Sequence, residues 1–124
     1  MCRPFHSLPI ELPLMAKPLS PEILEQIAER FRVLSEPARL RILNVLLAGE
    51  RTVSELVDET GLNQANVSKH LSMLRSFSFV ERRKEGLYSI YSVADPSVGM
   101  LCEVMCDRLE AQAEELNAIL GTGT

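Results

Sequence analysis

From Ser20 onward the apolar residues recur at the spacing of a helical face. Ile23, Ile27, Phe31 and Leu34 follow Pro21, which suits a first helical position. Ser35-Glu36-Pro37 restarts the chain, and Leu40, Leu43 and Leu47, with Ile42 and Leu46, make a second and strongly apolar helix that ends at Gly49. That density predicts a core helix. Thr52 caps a short third helix, with Glu55 as its capping-box partner; Val53, Leu56 and Val57 face inward and Gly61 ends it. Asn63 then caps a fourth helix whose apolar stripe is Val67, Leu71 and Leu74. Its other face carries Gln64, Ala65, Ser68, Lys69 and Ser72.

After the fourth helix the period changes to two. Phe79 to Lys84, a Glu85-Gly86 turn, and Leu87 to Val93 read as a β-hairpin. A last helix runs from about Pro96 to Leu120, with Val98, Cys102, Met105, Leu109, Ala113, Leu116 and Leu120 on one face. That stripe is longer than the small core before it can cover, so a partner helix is its natural burial site and the chain is expected to dimerise. Residues 1–19 carry Pro4, Pro9, Pro13 and Pro18 without a helical period and predict an extended or disordered arm, leaving 20–121 as the folded domain. The fold class that results is mainly α with a β-hairpin wing: a dimeric winged helix-turn-helix.

Composition adds limits. A chain of 124 residues with 46% hydrophobic content supports one compact domain. Charges interrupt every apolar run before it reaches the roughly 18 residues of a membrane span. The early prolines and Glu11 also break the first apolar stretch, so no export signal is read and a cytoplasmic location is expected. Three cysteines do not make the disulfide framework of a small secreted domain, which agrees with a reducing compartment.

A net charge of −4 argues at first against a nucleic-acid partner, since phosphate binding rewards Lys and Arg. The distribution reverses that argument. Between Asn63 and Lys84, Lys69, Arg75, Arg82, Arg83 and Lys84 stand against Glu81 alone, while the acidic surplus lies in Glu22 to Glu29 and Glu103 to Glu115. Helix, glycine-containing turn, helix and basic hairpin therefore predict double-stranded DNA as the partner. The fourth helix enters the major groove, where Gln64 and Asn66 can pair with adenine edges and Ala65, Ser68, Lys69, His70 and Ser72 complete the contact face. Arg82, Arg83 and Lys84 are expected at phosphate or in the adjacent minor groove. Neither a nucleophile with its base nor a phosphate-cradling loop is visible, so no enzyme is predicted. A winged helix that binds only protein would not need the basic wing.

Two stretches, Leu34-Ser35-Glu36-Pro37-Ala38-Arg39-Leu40-Arg41-Ile42-Leu43 and Asn63-Gln64-Ala65-Asn66-Val67-Ser68-Lys69-His70-Leu71, closely resemble the signatures of the ArsR/SmtB repressors. The likeness covers roughly Glu22 to Leu120. It implies a homodimer built from the first and last helices, two recognition helices on successive major grooves of an inverted repeat, and release of DNA on binding a metal, a metalloid or an oxidant. One sensor of such repressors is a Cys-Val-Cys-Asp stretch at the third helix, and here it reads Thr52-Val53-Ser54-Glu55. Another needs Asp, His, His and Glu around the last helix, where this chain offers Asp95, Ser97, Arg108 and Ala111.

The soft ligands that remain are Cys102 and Cys106, four residues apart on one helical face, and Cys2 in the arm. Together they predict a three-thiolate shell for arsenite or antimonite as inducer, with no permanently bound cofactor. Two other readings stand beside it. The helix thiols could be small apolar fillers of the dimer seam. They could also act in a redox switch whose disulfide joins helix to arm or protomer to protomer, because positions i and i+4 of an intact helix are poorly placed to bond each other.

Overall fold

The computed structural model describes residues 18–121. α1 (Pro21–Leu34) begins where Ser20 Oγ accepts a hydrogen bond from the Ile23 amide at 3.3 Å, with Pro21 supplying the preset φ of a first helical residue. α2 (Pro37–Ala48) opens on Pro37 in the same way and stops at Gly49. β1 (Arg51–Thr52), α3 (Val53–Thr60), α4 (Gln64–Ser76), β2 (Val80–Glu85), β3 (Tyr88–Val93) and α5 (Pro96–Leu120) follow. The architecture is a winged helix-turn-helix, as the sequence pattern predicts. None of the helices described is long and apolar enough to cross a membrane.

β1 has no counterpart in the sequence reading. Two residues are too short to show alternation, and the strand exists because β3 pairs with it, Arg51 opposite Tyr91 and Thr52 opposite Ile90. The antiparallel sheet has the order β1-β3-β2, which makes β2 an edge strand. β2 and β3 pair from Val80↔Val93 to Glu85↔Tyr88, leaving Gly86 and Leu87 as the two-residue turn. Gly86 takes a φ of +59°, a value for which tight hairpins favour glycine at the first turn position.

The core of this part of the chain is Val33 of α1, Ile42, Leu43 and Leu46 of α2, Leu56 of α3, Val67, Leu71 and Leu74 of α4, and Phe79 and Val80 at the start of the wing. Burying each such side chain contributes about 1.5–3 kcal/mol, so α2 and α4 are the elements most firmly tied into the core. α2 packs against α3, α4 and β3. Leu40 and Leu47, counted in the apolar pattern of α2, remain partly exposed because α2 has more apolar positions than its neighbours cover. α1 likewise turns only Val33 into the core, and Phe31 stays 54% exposed.

α1 to β3 belong to one compact unit, Lys17–Pro96, and the chain from Ser97 belongs to a second. In α5, Val98 is buried, whereas Met100, Met105, Leu109, Leu116, Ile119 and Leu120 are all more than half exposed. A helix with that much apolar surface facing water is a candidate for a further partner.

Candidate nucleic-acid interface

The helix-turn-helix is built by local hydrogen bonds that the residue types dictate. The Glu55 amide donates to Thr52 Oγ1 at 3.2 Å and the Thr52 amide donates to Glu55 Oε1 at 2.9 Å, closing the capping box of α3. These bonds hold the Glu55 carboxyl below its usual range. At the other end Gly61 sits at φ +75° and its amide returns to the Val57 carbonyl at 3.1 Å. Buried Thr60 donates its hydroxyl to the Leu56 carbonyl at 2.5 Å and accepts from the Leu62 amide at 3.3 Å, while Arg41 Nη1 donates to the Thr60 carbonyl at 3.2 Å. Asn63 Oδ1 then accepts from the Asn66 amide at 2.8 Å and starts α4. A turn of three residues, Gly61-Leu62-Asn63, thus sets the angle between α3 and α4.

With Val67, Leu71 and Leu74 fully buried, the opposite side of α4 is left to solvent. Gln64, Ala65, Asn66, Ser68, Lys69 and Ser72 are all exposed there. These short polar side chains around one lysine can approach a nucleic-acid groove without a bulky clash. His70 differs from them. It is partly buried, and its Nδ1 lies 3.5 Å from Arg39 Nη1 of α2. Burial first, and then the Arg39 charge, hold its pKa below the ordinary histidine value, so the neutral ring is favoured.

The far end of α4 is held by α1. Arg30 lies 5.4 Å from the centre of the Phe79 ring and donates from Nη1 to the Phe77 carbonyl at 3.4 Å, while Phe77 and Phe79 stack with centroids 6.3 Å apart. Neither Arg30 nor Arg39 stands out in the sequence, because each acts on residues more than thirty positions away.

On the wing, Arg82 and Lys84 are exposed, and among the described residues neither they nor Lys69 make an ion pair. Arg83 is engaged. Its Nε and Nη2 donate to Glu85 Oε2 at 2.9 and 2.6 Å, and its Nη2 and Nη1 donate to Glu50 Oε1 at 3.1 Å and to Glu50 Oε2. The charge run was visible in the sequence. The pairing with Glu50, 33 positions away, was not.

The thiols divide. Cys102 is a free, partly buried thiol whose pKa is pushed up by burial and then by the nearby Glu103 charge, which keeps it protonated. Cys106 is disulfide-bonded. Cys2 lies outside the described residues. Among the described residues no group of three His, Cys, Asp or Glu side chains is placed to hold a metal ion.

A sequence model described as "Bacterial regulatory protein, arsR family" matches residues 36–82, the segment from the start of α2 to the wing. The "Probable mercury resistance operon repressor" of Streptomyces lividans is 45% identical over 74 residues, a match that spans 60% of this chain but only 59% of that protein. The HTH-type transcriptional regulator Rv0081 of Mycobacterium tuberculosis is 38% identical over 100 residues, covering 73% of this chain and 87% of the relative. Its crystal structure superposes with a TM-score of 0.70 at 35% identity, over 77% of this chain and 97% of that one. The homodimeric winged helix-turn-helix DNA-binding domain Mb0332 of Mycobacterium bovis gives 0.69 at 31% identity, over 82% and 95%.

Proposed function

Because this chain belongs to the ArsR family of bacterial regulatory proteins, we propose that it is a transcriptional repressor that binds an inverted-repeat operator as a homodimer. The observation that carries the reading is the exposed polar face of α4, capped by Asn63 and held at an angle to α3, in the same unit as a wing with free Arg82 and Lys84. Gln64, Asn66, Ser68 and Ser72 read base edges in the major groove, Ala65 allows close approach, and Lys69, Arg82 and Lys84 neutralise phosphate. Exposed apolar residues of α1 (Ile23, Leu24 and Phe31) and of α5 support burial against a second copy. Repression would take place in the cytoplasm.

The inducer in this proposal is a thiophilic ion, arsenite or antimonite first, bound by Cys102, Cys106 and Cys2 and changing the spacing of the two recognition helices. A mercury resistance repressor among the relatives supports a soft ion in general. Only thiolates ligate such ions, so the site belongs to the reduced protein. The disulfide at Cys106 favours a second reading, a repressor that responds to thiol oxidation.

A gel-shift titration against the promoter fragment upstream of its own gene tests the repressor. Binding should weaken in Lys69→Ala and in Arg82→Ala, with the fold unchanged, and the salt dependence of binding should fall by about one unit for each phosphate that is no longer neutralised. Affinity unchanged in both variants would refute the proposal.

A further inference from the structure

A line of ion pairs runs from α3 to the wing. Glu59 accepts from Arg51 Nε at 2.6 Å and from Nη2 at 3.4 Å, and Arg51 Nη1 donates to the Glu50 carbonyl at 2.9 Å. The corner favours Gly49, whose φ of +156° is a backbone conformation that L side chains rarely adopt. From this corner the Glu50 carboxylate reaches β2, where both of its oxygens take Arg83 and Glu85 takes the same guanidinium as well. Two planar carboxylates on one rigid fork is a geometry that arginine satisfies and lysine does not.

Strand alternation sends Arg82 and Lys84 to the side of β2 opposite Arg83. β2 is an edge strand, hydrogen-bonded only to β3, and beyond buried Val80 its residues are exposed, so side-chain ties hold its outer part to the rest of the unit. The Glu50–Arg83 pair is one of them. Resting on the DNA-binding reading above, we propose that Arg83 is a positioning residue: through Glu50 it ties the wing to the α2–β1 corner and sets where Arg82 and Lys84 meet the phosphate backbone, without contacting DNA itself.

Charge and position make opposite predictions for Glu50→Gln. Removing a carboxylate and freeing Arg83 adds positive charge at the wing, which by itself strengthens attraction to a polyanion. Untying the wing weakens binding. Glu81→Gln supplies the control, because Glu81 is an exposed acid on the same strand and takes part in none of the ion pairs among the described residues.

The experiment is a fluorescence anisotropy titration of the full chain and these variants, with Arg83→Gln, against a labelled duplex of the promoter region upstream of its own gene, repeated across a salt series. Glu50→Gln and Arg83→Gln should each weaken binding about two- to fivefold, the shift an exposed ion pair can produce, with the salt dependence of the unaltered protein. Glu81→Gln should bind as tightly or more tightly. Amide hydrogen exchange at Lys84 to Tyr88 should quicken in the first two variants while α4 is unaffected. Glu50→Gln binding as tightly as the unaltered protein overturns the inference, as does a salt dependence lowered by about one unit per wing in Arg83→Gln, the mark of a direct bond to phosphate. Failure of the unaltered chain to bind the duplex refutes the DNA-binding reading instead, and the exchange measurement still decides whether the pair holds the wing.

Discussion

Arg39 of α2 and His70 of α4 meet at 3.5 Å between Nη1 and Nδ1, and the same guanidinium donates from Nε to the Val33 carbonyl at the end of α1 at 2.7 Å. One side chain therefore joins three helices, and its contact on α4 is a group that titrates near neutral pH. For Nδ1 to accept from Arg39, the ring must be neutral with its proton on Nε2.

The pH dependence follows from that contact. Burial, Arg39 and Lys69 lower the His70 pKa, and Glu36 opposes them, so the folded value lies below the ordinary 6.5. The unfolded chain then binds the proton more readily than the folded one. Stability is full above the unfolded value and is lost as pH falls through 6.5 toward the folded value. Urea denaturation at about pH 7.5 and about pH 5.5 should show a lower midpoint in acid. His70→Gln should reduce that difference, and an unreduced difference would assign it to another group.

The capping box of α3 should be measurable on its own. Thr52→Ala removes the acceptor of the Glu55 amide and should cost about 0.5–2 kcal/mol in denaturant unfolding. Thr52→Ser should retain most of that stability, because the hydroxyl is kept. Equal losses in the two variants would mean that the Thr52 methyl, and not the cap, is what matters.

Truncation on the two sides of α4 should separate core packing from surface exposure. Leu71 is fully buried, and Leu71→Ala should destabilise the protein by about 2–5 kcal/mol through the cavity it leaves. Ser72, the next residue, is exposed, and Ser72→Ala should change stability by no more than about 0.5 kcal/mol. Thermal and urea unfolding of both variants would check the pair.

Dimerisation through α5 predicts a charge effect. Leu109 is 61% exposed in the single chain, so Leu109→Glu should leave the protomer folded but abolish the dimer and the operator binding that needs two recognition helices. Sedimentation decides this: a variant that stays dimeric would move the interface elsewhere.

Arsenite release isolates the thiols. In reduced protein, Cys102→Ser with Cys106→Ser should remain on DNA at arsenite concentrations that release the unaltered repressor, and Cys2→Ser should separate a three-thiolate site from a two-thiolate one. Normal release from the double variant would make the helix thiols core filling.

The helices and the exposed polar side of α4 were legible because their causes are local. Thr52 and Glu55, Gly61, Asn63, and the repeat of Val67, Leu71 and Leu74 act within four residues of one another, so a linear string contains the whole interaction. The wing was legible for the same reason, although its turn falls at Gly86-Leu87, one residue beyond the Glu85-Gly86 turn read from the sequence. Which apolar residues become core was only partly so: periodicity marks Leu40, Leu47 and Phe31 along with Leu43 and Leu46, but burial depends on which neighbour arrives. β1, the contact of Arg39 with His70, and the capture of Arg83 by Glu50 were decided by tertiary structure alone. Each joins residues that lie 31 or more positions apart, and a charge in sequence carries no record of the partner that folding will bring within hydrogen-bond reach.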